Sequence, residues 1–142
     1  MHYFLDSSVI TLISKLIFSA LFGSMIFFTI IVAPTVFKNL NSVNSRKFLR
    51  SIFPKLYMWG IVISFFNCLI LIDDIDISFL ISLLIFFGFL FSRQILIPKI
   101  NSAADRSNES DIFKKKFKNL HSFSVLIFIT QLVLIIFYFF II

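Results

Sequence analysis

Four long apolar runs, separated by short polar segments, set the pattern of this chain. Leu16 to Phe37 is 22 residues without a formal charge, Leu56 to Ile72 is 17, and His121 to Ile142 is 22. Ile77 to Ile97 adds 21 residues, interrupted once by Arg93. A helix needs roughly 20 mainly apolar residues to cross the hydrocarbon core, and about 17 suffice. The pattern predicts four spans, over about 10–37, 55–72, 77–97 and 120–141, joined by loops at 38–54 and 98–119. The spans are expected to be helices, because backbone polar groups in lipid must pair within the segment. The period-2 alternation of an outer-membrane barrel strand is absent. The predicted fold is all-α: a single-domain integral membrane four-helix bundle over residues 1–142.

The polar segments carry the orientation. Residues 38–55 hold Lys38, Arg46, Lys47, Arg50 and Lys55 without an acid, and residues 98–119 hold Lys99, Arg106, Lys114, Lys115, Lys116 and Lys118. With Arg93, 12 of the 13 basic residues fall on one side, whereas the opposite side has Lys15 and the trio Asp73, Asp74 and Asp76. Basic loops face the cytoplasm, which predicts both termini on the non-cytoplasmic side, in a bacterial inner membrane. No basic residue precedes the first run except Lys15 at its edge, and no small-x-small cleavage site follows. The first run is therefore read as a retained span.

Each basic loop predicts helix of its own. Around Ser45 to Phe53, Arg46, Lys47 and Arg50 share one face, and Leu49, Ile52 and Phe53 another. This spacing predicts a short interfacial helix, with Pro54 in the first turn of the second span. Ser110 is placed to cap a helix with Phe113, Phe117 and Leu120 in one stripe, running unbroken into the fourth span.

Composition supports a bilayer setting. The chain is 59% hydrophobic and 14% charged, with 22 Phe. Soluble domains run about 45–50% apolar and about 25% charged. The net charge of +6 does not imply nucleic acid, because the basic residues flank apolar runs and suit anionic lipid head groups instead. Cys68 alone makes no internal disulfide. Two histidines and one cysteine cannot furnish a soft metal site within one chain, and His2 and His121 belong to opposite faces of the membrane. No cofactor is expected.

Small and polar residues mark the expected inward faces, since helices in lipid associate through small-residue packing and interhelical hydrogen bonds. These are Ser19 with Gly23 and Ala20 with Ser24 on the first span, Gly60, Ser64 and Cys68 with Asn67 on the second, and Ser124 with Gln131 on the fourth, His121 lying about a fifth of a turn away. Asn67 and Gln131 are amides at depth and must find partners. Each suits an interhelical bond or a ligand contact. Arg93 sits one turn inside its span and can snorkel to the interface or pair with His121 or a backbone carbonyl. His121, at the interface, can hydrogen-bond, titrate or bind metal.

Short segments throughout the chain resemble a known family. They are Phe22-Gly23, Val32-Ala33-Pro34-Thr35-Val36-Phe37, Phe48-Leu49-Arg50-Ser51-Ile52-Phe53-Pro54-Lys55 and Asn67, then Leu96-Ile97-Pro98-Lys99-Ile100-Asn101 and Phe117-Lys118-Asn119-Leu120-His121-Ser122-Phe123-Ser124. In this order they resemble the group related to animal transmembrane protein 205, known in bacteria as domain of unknown function 4149. The resemblance implies a four-span protein of uncharacterised molecular function. It places Arg50, Pro54, Asn67, Pro98, His121 and Ser124 toward the cytoplasmic half or the bundle interior. Phe128 stands where the family pattern has an Asn.

No phosphate loop, metalloprotease motif or nucleophile elbow appears, and no acid lies within a span. The expected function is a non-enzymatic membrane protein acting through helix packing, partner or lipid contacts, with a homo-oligomer or membrane protein as partner. The alternative is a small-molecule or metal transporter or binder with a polar site drawn from Arg50, Asn67, Arg93, His121, Ser124 and Gln131. A third reading is a haem-binding oxidoreductase of the four-span protoporphyrinogen oxidase type, which shares the size and topology.

Overall fold

The computed structural model describes residues 6–142, so His2 lies outside the described residues. Four helices follow one another: α1 (Ser7–Asn39), α2 (Ser42–Ile70), α3 (Ile77–Asp105) and α4 (Asp111–Ile141). At about 1.5 Å per residue each is over 40 Å long, more than the roughly 30 Å of a hydrocarbon core, so their ends project into the head-group layers. Backbones approach in ring order, α1 to α2 to α3 to α4 and back to α1. Ser7, Ile142 and the 71–76 turn gather at one end of the bundle.

Only 17% to 33% of each apolar window is buried inside the protein. Many of the remaining apolar side chains, among them Leu16, Ile30, Phe65, Phe87 and Val133, face outward. In water that surface would drive aggregation. In a bilayer it is solvated by acyl chains.

The helices overrun the apolar runs. The interfacial helix expected at Ser45–Phe53 is instead the first part of α2, which continues through Pro54. Proline removes one backbone hydrogen bond and crowds the carbonyl four residues back. The helix continues through it, and the Arg93 Nε of α3 donates to the Pro54 carbonyl at 3.3 Å. Asn41 starts α2 by accepting from the Asn44 N–H at 2.9 Å. α4 runs unbroken from Asp111 with Ser110 at the cap position, but the Ser110 side chain makes no capping bond. The Asp111 carboxylate in the first turn complements the helix dipole instead.

α1 and α3 carry the same irregularity. A π-helical turn at Phe28–Val32 precedes Pro34, and another at Ser92–Leu96 precedes Pro98. In each, an N–H reaches five residues back, Ala33 to Phe28 and Ile97 to Ser92. The wider turn makes room for carbonyls that the proline ring would strike in a regular helix.

The buried face of α2 is the expected one, Gly60, Ser64, Asn67 and Cys68. That of α1 is not. Ser19, Ala20 and Gly23 are exposed, and Ser14, Phe18, Leu21 and Met25 point inward. The outward Ser19 loses nothing in lipid because its hydroxyl bonds its own helix, at the Lys15 carbonyl at 2.8 Å, whereas half-buried Ser24 bonds the Ala20 carbonyl at 2.9 Å and accepts from Trp59 Nε1 of α2 at 3.0 Å. Close approach occurs between α2 and α3 instead, where Gly60 lies against the Phe89 ring.

Candidate functional site

Near the end that gathers the termini, one polar side chain from each helix meets in the core. Ser14 of α1 donates to Asn67 Oδ1 of α2 at 2.6 Å. Asn67 Nδ2 donates to Ser82 Oγ of α3 at 2.8 Å and to Tyr138 OH of α4 at 3.3 Å. Tyr138 OH also bonds Ser14 Oγ. Since the single Ser14 proton is directed to Asn67, the tyrosine supplies the proton of that bond. Ser82 passes its own proton to the Ser78 carbonyl at 2.8 Å. All four side chains are buried, and the Phe18 ring closes edge-on over Tyr138 at 4.6 Å between centroids. The result is a cyclic network that uses both Asn67 amide donors and its oxygen.

Gln131 lies seven residues before Tyr138, about 10 Å along α4. Its Nε2 donates to the Ile85 carbonyl of α3 at 3.2 Å, over Gly88, where a Cβ would collide with the amide. Ser124 pairs with Tyr57 OH at 3.3 Å. Among the described residues, no buried side-chain nitrogen or oxygen lacks a hydrogen-bond partner.

The other candidates sit at the opposite end. Arg93 is about 16 Å along α3 from Ser82. Its pairing is with a backbone carbonyl, that of Pro54, and not with His121. His121 is exposed and stacks on Phe117, with 5.9 Å between ring centroids. Arg50 donates to the Asn101 carbonyl at 3.2 Å and to Asp105 Oδ1 at 2.5 Å, tying α2 to the far end of α3. The six residues singled out by the sequence therefore divide among three places: Asn67 in the four-helix network, Gln131 and Ser124 in the bundle, and Arg50, Arg93 and His121 at the basic end. Ser14, Ser82, Tyr57 and Tyr138 escaped sequence reasoning. A tyrosine deep in a Phe-rich run is the one signal that could have found Tyr138, because a phenol in hydrocarbon needs a partner.

This arrangement supplies neutral donors and acceptors already bonded to one another. Among the described residues no three His, Cys, Asp or Glu come together. Four apolar helices and an interior closed by interhelical hydrogen bonds define a multi-pass integral membrane protein. Residues 16–109 match the family model for a domain of unknown function, DUF4149, which covers two thirds of the chain and all of α2 and α3. The chain belongs to that family. No curated protein and no solved structure matches it.

Proposed function

We propose that this is a non-catalytic membrane protein whose interior serves helix packing and whose work is done at its surfaces, by contact with lipid head groups and membrane partners. The observation that carries this reading is the saturated core. The amides and hydroxyls that a transporter would offer a solute are bonded across helices, in the Ser14–Asn67–Ser82–Tyr138 network and the Gln131–Ile85 pair. In this reading the basic end faces the cytoplasm of a bacterial inner membrane and both termini lie outside, following the bias of Lys and Arg. The likeness to the transmembrane protein 205 group fits the same four-span arrangement.

Purification in mild detergent followed by native mass spectrometry tests the proposal. The expected result is retained anionic phospholipid or a protein partner, with no Soret band in the absorbance spectrum. A metal or small organic solute held by the wild type and lost on Asn67→Ala overturns it. Labels on either terminus are expected to react only from the non-cytoplasmic side, and reaction from the cytoplasm refutes the orientation.

A further inference from the structure

α3 continues past its apolar run to Asp105, and α4 begins at Asp111, so the two form a helical hairpin beyond the hydrocarbon. Between them lies a groove of about 260 Å³, lined by Pro98, Lys99, Ser102, Arg106, Phe113 and Lys116 together with Ala103. Its size falls short of the roughly 300–1,000 Å³ of drug-sized ligand sites, so it suits a small group. Three cations border it. Arg106 is held in place, its guanidinium 3.7 Å over the Phe113 ring and its Nε on Glu109 at 2.9 Å. Nε is only one of the guanidinium's three nitrogens, so the terminal amino groups keep donors to offer. Among the described residues the ion pairs at this end are Arg50–Asp105 and Arg106–Glu109, and neither Lys99 nor Lys116 is in one. Ser102 adds a hydroxyl to the lining.

Height identifies the ligand. Lys99 and Ser102 lie two and five residues beyond Ile97, about 3 and 8 Å along the axis. Lys116 lies four residues before Leu120, about 6 Å out on the facing helix. The head-group layer begins where the hydrocarbon ends and is roughly 5–8 Å deep on each side. We infer that this groove binds the phosphate of an anionic phospholipid, with Lys99 and Lys116 as the charged contacts and Ser102 as a neutral donor, while Arg106, nine residues and about 13 Å beyond Ile97, forms the outer rim beyond the head-group layer. This site rests on the lipid-contact reading above and gives it a location.

The test uses the full chain in mild detergent, with its thermal midpoint followed during titration with phosphatidylglycerol, phosphatidylcholine or inorganic phosphate. Phosphatidylglycerol is expected to raise the midpoint at concentrations where the other two do not. Lys99→Gln with Lys116→Gln removes two near-surface charges, and the apparent affinity should fall by roughly 30-fold. Ser102→Phe fills the groove without changing charge and should abolish the shift. Lys114→Gln with Lys115→Gln removes the same charge outside the groove and should lose clearly less affinity than the groove pair. An equal loss in both double variants overturns the site while leaving diffuse lipid contact intact. No response of the wild type to phosphatidylglycerol overturns both. A full shift with inorganic phosphate alone replaces the lipid with a soluble anion and overturns the inference as stated.

Discussion

Asn67→Ala probes the network that joins all four helices. The substitution removes the acceptor of Ser14 at 2.6 Å and the donors to Ser82 at 2.8 Å and Tyr138 at 3.3 Å. Interhelical hydrogen bonds in a membrane protein average about 0.6 kcal/mol each, because the separated helices also find partners. Three such bonds amount to about 2 kcal/mol, and the void left by the amide adds up to roughly 1 more. The cost stays well below that of three orphaned polar groups. Ser82 keeps its bond to the Ser78 carbonyl. Ser14 can turn to the carbonyl four residues back, as Ser19, Ser24 and Thr29 already do on the same helix. We expect a loss of about 2–3 kcal/mol, read by SDS titration of the protein in mixed micelles with circular dichroism as the signal. A cycle with Ser14→Ala should show coupling of roughly 0.5–1.5 kcal/mol, because each side chain loses a bond to the other. A loss under about 0.5 kcal/mol, with the two substitutions additive, would refute a cooperative network.

Three further substitutions read packing and surface charge. Gly60→Ala puts a Cβ within 2.6 Å of the Phe89 ring and should cost about 1–3 kcal/mol by overpacking. Gly23→Ala meets nothing within 4 Å and should be neutral or stabilise by up to about 1 kcal/mol through helix propensity. The same SDS titration separates them, and a reversed order would show that α1, not α2, provides the close contact. Arg50→Gln breaks the pair with Asp105, whose side chain is 59% exposed. It should cost under about 1 kcal/mol, with the difference from wild type shrinking as salt rises. A cost that salt does not alter would place the weight on the Asn101 carbonyl bond.

The residues of α2 and α1 show how far sequence reading reaches inside a bilayer. On α2 the small-residue stripe coincided with the packing face because Asn67 lies beside it, and an amide at depth has to turn inward. α1 has no such anchor. Of its Ser, Ala and Gly stripe only Ser24 reaches a neighbour, accepting from Trp59 of α2, and the helix packs with Phe18, Leu21 and Met25. Lipid tails are as apolar as leucine, so burying a hydrophobic face brings no gain that would mark it in the sequence. Ser14 was invisible for the related reason that a serine satisfies itself on its own helix as readily as across an interface.

Length, apolar content and the grouping of charges determined, without coordinates, that this chain has four apolar helices, and where its polar segments fall. Those features follow from hydrocarbon thickness and from backbone hydrogen bonding, which act along the chain. Only the tertiary structure decided that Ser14, Asn67, Ser82 and Tyr138 share one network, that α2 passes unbroken through Pro54, and that Lys99 and Lys116 border one groove. These depend on how each helix is rotated about its axis. That rotation is fixed by contacts between residues as many as 124 positions apart, which no local pattern encodes.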